Sequence, residues 1–112
     1  MTNNAKLQML KTLLDPDGIG GLPSDNTLNM YLGIAGEEIL NWMYSRVGRP
    51  AEAVTVPAEY EQVQVMACVS AINIIGAEGQ TLHIENGVHR DFVYEDLLHY
   101  IHAHVFPYVK VG

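Results

Sequence analysis

Between residues 63 and 75 the chain is apolar almost all round a helix. Val65, Met66, Ala67, Cys68, Val69, Ala71, Ile72, Ile74 and Ile75 leave little room for a polar face. A helix of that pattern is buried on most sides rather than along one stripe. In a chain of 112 residues it is expected to be the central element, or to be covered in part by a partner chain. Pro57 suits the first turn of this helix, where its missing N–H costs nothing. Glu59 and Glu61 sit favourably at the positive helix end. Gly76 and Gly79 mark its close.

Shorter helices are predicted around it. Leu7, Leu10 and Leu14, widened by Met9 and Leu13, give a helical stripe over residues 6–14. Pro16 ends that helix by disfavouring helical backbone in the residue before it. Gly18, Gly20, Gly21 and Pro23 then make a loop. Ser24 or Asp25 can cap a second helix. Its stripe runs Leu28, Leu32, Ala35, Ile39, Trp42 and Met43, and Gly48 and Pro50 stop it. Gly33 and Gly36 weaken it by about 1 kcal/mol each relative to alanine, and their bareness lets another helix or subunit approach. A last helix is predicted over residues 94–105, with Leu97, Leu98 and Ile101 inward and Pro107 after it. Between the third and last helices, Leu82, Ile84, Val88 and Phe92 alternate with polar residues around Asn86-Gly87. Asn-Gly is a strong hairpin signal, so residues 80–94 read as a protruding loop or β-hairpin. A lone hairpin is marginal in water and needs a partner. The fold class is therefore mainly α: a small bundle of about four helices in one domain over residues 1–112.

Composition narrows the function. Hydrophobic residues make up 48% of the chain, too many for a disordered tail. No apolar run is long enough to span a bilayer, and the N-terminal residues lack the pattern of a signal peptide. Cys68 is the single cysteine, so no internal disulfide forms and cytoplasmic assembly is expected. The net charge is −7. Residues 51–109 hold eight acids against one base, Arg90, whereas the rest of the chain holds five of each. No basic patch exists to neutralise phosphates, so specific nucleic-acid binding is not expected.

Few residues invite chemistry. Cys68 lies in the apolar run and reads as a small buried hydrophobe rather than a nucleophile. The glycines at 18, 20 and 21 follow no strand and precede no Gly-Lys-Ser, so they read as a connection rather than a phosphate loop. Glu95, His99 and His102 are spaced by four and three, which puts them on one helical face. Such a set either binds a metal ion or forms a solvated polar face. Trp42 lies on the inward stripe and reads as core, the alternative being an interface anchor. Arg90 is a candidate for an intersubunit salt bridge.

The run Pro57-Ala58-Glu59-Tyr60-Glu61, the apolar helix, Gly76-Ala77-Glu78-Gly79 and then Glu85-Asn86-Gly87-Val88-His89-Arg90 resembles the head–tail connector family of siphophages. The closing Val105-Phe106-Pro107-Tyr108-Val109 looks like that family's ending. The likeness extends over nearly the whole chain, and its specific part is residues 57–94. The five histidines at 83, 89, 99, 102 and 104 depart from the family's pattern. The resemblance implies a structural virion protein, not an enzyme, with no cofactor and no metal. It implies a head-completion adaptor in the neck between head and tail, assembled in the host bacterial cytoplasm. It implies partners: copies of itself in a ring, expected to be twelve-fold, the portal protein below, and the next neck or tail-completion protein above. DNA passes through the channel without specific binding, and no membrane is involved. The same resemblance marks an arm of Glu85, Asn86, Gly87, Val88, His89, Arg90 and Phe92 as the contact element. The alternative is a small helical protein that binds metal or regulates a host protein.

Overall fold

Two hydroxyls start the first two helices in a computed structural model of the chain. It describes residues 1–77 and 87–109, with the side chains of 1–73 and 95–109. Thr2 accepts a hydrogen bond from the Ala5 N–H at 3.0 Å and opens α1 (Asn3–Leu14). Ser24 accepts from the Thr27 N–H at 3.2 Å and opens α2 (Asp25–Met43). Each hydroxyl satisfies a backbone donor that the first turn leaves without a partner. Pro57 precedes one 3-10 turn, Ala58–Tyr60, which leads straight into α3 (Glu61–Ala77). The last helix, α4, is Gly87–His104. No strand occurs among the described residues.

The helical bundle agrees with the pattern read from the sequence, and α3 takes the central place. It packs against α1, α2 and α4. Val65, Ala67, Cys68, Val69, Ala71 and Ile72 are all buried there, with Leu7 and Leu10 of α1, Leu28, Ile39 and Met43 of α2, and Leu97 and Ile101 of α4 in the same core. The Ser70 hydroxyl donates to Asp96 Oδ2 at 2.8 Å and ties α3 to α4 through a polar contact at the margin of that core.

The hairpin expectation needs correction. Gly87 to Tyr94 is the opening half of α4, not the second strand of a ribbon. Val88 and Phe92 are four residues apart, a spacing that suits a helix as well as a strand. Leu97, Leu98 and Ile101 continue at spacings of four and three, and only a helix brings both spacings onto one face. Asparagine before glycine also serves as a helix N-cap, so the turn signal has two structural meanings. The first half of the predicted ribbon, through Asn86, lies outside the described residues. Three helix boundaries shift as well. α1 begins three residues before its predicted start because Thr2 caps it. α2 ends at Met43, and residues 44–47 turn before Gly48, whose φ of 89° suits glycine. The 3-10 turn separates Pro57 from α3.

Candidate partner-binding surface

Residues 105–109 leave α4 and run back along the end of α2 as a strap. Pro107 prevents α4 from continuing, and the strap's backbone is held at several points. The Trp42 indole Nε1–H donates to the Val105 carbonyl at 2.9 Å. The Tyr108 N–H donates to the Met43 carbonyl at 2.8 Å, using an acceptor left open at the end of α2. The Phe106 N–H donates to the Tyr60 hydroxyl at 3.2 Å. Aromatic contacts support these bonds. Trp42 stacks on His102 with ring centres 4.0 Å apart, and Tyr44 tilts against Tyr108 at 5.1 Å. The neighbouring Tyr44 phenol is the main influence pushing the Tyr108 hydroxyl above its ordinary titration range.

Fixing the strap turns apolar side chains outward. Val105 is buried, but Phe106 is 78% exposed and Val109 69% exposed, with Tyr108 exposed between them. Away from the strap, another outward apolar side chain stands at Ile19, which is 85% exposed. Its loop is organised by Asp15, whose two carboxylate oxygens accept from the N–H groups of Ile19 and Gly20, each at 2.9 Å. Trp42 is therefore neither a plain core residue nor an exposed anchor. Its ring is half-buried beside the core and its N–H holds the strap. The apolar stripe of α2 placed it inward, but its polar partner lies 63 residues away, beyond the reach of any local pattern.

The residues singled out in the arm are distributed differently. Glu85 and Asn86 lie outside the described residues. The backbone of Gly87, Val88, His89, Arg90 and Phe92 belongs to the first turns of α4, and their side chains lie outside the described set. The salt bridge expected of Arg90 falls there too. Glu95, His99 and His102 are exposed on α4, but His102 is engaged with Trp42. Among the described residues no three histidine, cysteine or acidic side chains come together as a metal-holding group. Cys68 is fully buried, and burial pushes its thiol up to about 12. The thiolate needed for nucleophilic chemistry is therefore strongly disfavoured.

Among the described residues no helix is long and apolar enough to cross a membrane. Compared with protein-family models, with curated proteins and with solved structures, the chain matches none.

Proposed function

We propose that the chain is a structural virion protein, a subunit of a ring-shaped connector that docks on the portal after DNA packaging and joins head to tail. The observation that carries this reading is the pinned strap with Phe106, Tyr108 and Val109 turned outward. Single exposed apolar residues are ordinary, whereas a cluster on ordered backbone suits a protein contact. The strap coincides with the closing motif that resembles the connector family, and the resemblance of residues 57–94 supports the same assignment. Copies associate head-to-tail through heterologous contacts that close into a ring, expected to be twelve-fold to match the portal. The arm from Glu85 to Phe92 contacts a neighbour, the portal or the next neck protein. The acidic excess of residues 51–109 flanks the channel and repels DNA in transit. The reading assigns the chain no catalysis, cofactor or membrane partner, and places it in the neck of the virion.

The test is binding to DNA-filled heads that lack this protein, scored by electron microscopy at the portal vertex. Added density at that one vertex, with restored tail attachment, is the expected result. Phe106→Ser is expected to fold and yet lose most of this binding. Absence of density with soluble, folded protein would refute the reading.

A further inference from the structure

A cleft runs along the other side of α2, between the start of α1 and the start of α3. It consists of two adjoining hollows of about 260 and 310 Å³, with Asn3, Lys6, Gly33 and Gln64 lining both. One water needs only about 10–15 Å³ of such space, so the cleft has room for a larger polar group.

Two features of its walls remain unexplained by the fold itself. Gln64 is 6% exposed, and its Nε2 donates to the Leu32 carbonyl at 2.7 Å. Its Oε1 is buried and receives no hydrogen bond, the sole such side-chain atom among the described residues. Turning the amide over would set Oε1 against the Leu32 carbonyl, acceptor against acceptor, so the orientation is fixed. Gly33 is the other feature. Glycine is the poorest helix former after proline, yet a Cβ at Gly33 would meet no atom within 4 Å. Nothing in this chain requires bare backbone there.

The neighbouring charges define what fits. Lys6 is also 6% exposed, and its ammonium lies 3.6 Å from Glu61 Oε2, too long for a strong hydrogen bond. It therefore retains donors for an acceptor, and the same Glu61 oxygen also takes the N-terminal ammonium at 2.8 Å, so one carboxylate serves two cations. The cleft thus presents a donor at Lys6, an acceptor at Gln64 and an open backbone strip at Gly33. A simple anion could use Lys6 but would bring no donor for Gln64. A peptide group brings both a carbonyl oxygen and an N–H.

We propose that this cleft is a docking site for an extended polypeptide segment of a partner protein, whose peptide carbonyl accepts from Lys6, whose N–H donates to Gln64 Oε1, and whose backbone lies over Gly33. The strap and the cleft are separate surfaces, and the cleft's chemistry does not depend on ring assembly.

The probe is a blocked diglycine, N-acetyl-Gly-Gly-N-methylamide, titrated into isotope-labelled full-length protein and followed by NMR. A fragment of that size binds in roughly the millimolar range at best. Saturable shifts of the Gln64 side-chain amide and the Gly33 backbone amide are expected, with sodium acetate giving none. Gly33→Leu should weaken the diglycine at least about tenfold by filling the strip. Gln64→Met, which keeps the volume but removes the acceptor, should do the same and serves if the leucine variant fails to fold. Three results would each overturn the proposal: no saturable shift, which leaves Oε1 to a water; equal shifts with acetate, which makes Lys6 an anion contact; or unchanged binding in the folded variants.

Discussion

Gly33 and Gly36 stand three residues apart on α2 and obey different constraints. A Cβ at Gly36 would come within 3.0 Å of Gln64 Nε2 and 3.3 Å of Val56 Cγ2. The glutamine end could swing aside only by giving up its 2.7 Å bond to Leu32. Alanine at Gly33 meets nothing and recovers helix propensity. Gly33→Ala is therefore expected to stabilise the protein by about 0.8–1 kcal/mol, whereas Gly36→Ala should gain nothing or lose stability. Urea unfolding of the two variants separates the cases. Cys68 makes a second residue-scale prediction. Burial holds its thiol protonated, so iodoacetamide at mildly alkaline pH should leave the native protein unlabelled. In guanidinium it should label the thiol completely, as followed by mass spectrometry.

At the scale of elements, the strap and the helix it braces form one cooperative unit. Trp42→Phe keeps an aromatic ring against His102 but deletes the donor to the Val105 carbonyl. A typical net hydrogen bond contributes about 0.5–1.5 kcal/mol, and a loss in that range is expected from thermal unfolding. Faster amide exchange at Tyr108, whose N–H rests on Met43, should accompany it. This level also divides what the sequence made legible from what it did not. The helical stripes of α1 and α2 were readable because each repeats every three or four residues within one element, and α3 was readable because its apolar run leaves almost no polar face. The strap was readable only as a motif after a helix-stopping proline, since its partners at Trp42, Met43 and Tyr60 come from distant parts of the chain. Asn86-Gly87 misled because the same dipeptide can turn a ribbon or start a helix, and local chemistry alone does not choose between them. The cleft was half visible. Bare positions at 33 and 36 stood out, but Lys6 and Gln64, charged or polar in sequence, gave no sign that folding would bury them.

The whole molecule carries an acid sensitivity that its ion pairs define. Arg49 donates to Glu37 at 2.6 Å and also binds Asn41 and the Ala53 carbonyl, closing the loop after α2 onto that helix. The bond from Arg49 holds the Glu37 carboxyl below its ordinary value of 4.5, against a smaller opposing effect of burial. A carboxyl with a depressed folded pKa contributes stability above its unfolded pKa and loses it as pH falls through the folded value. Glu61 behaves in the same direction, chiefly through a hydrogen bond from the N-terminal ammonium, with Lys6 adding to it. Glu37→Gln should therefore lower stability at neutral pH by at most about 1 kcal/mol, the pair being largely exposed. The deficit should shrink as pH falls below 4.5 and vanish only below the depressed folded value, as read from denaturant midpoints across pH.

The contact between Trp42 and the strap also sets an order of events during synthesis. The Val105 carbonyl follows its indole partner by 63 residues. A ribosome adding about 5–20 residues per second needs roughly 3 to 13 s to cover that distance. Over that interval the indole N–H and the Met43 carbonyl lack the partners they have in the folded chain. The end of α2 must stay soluble, or be shielded by a chaperone, until the strap emerges from the exit tunnel. A stalled or prematurely terminated chain would display this aromatic end as a lasting signal for proteolysis.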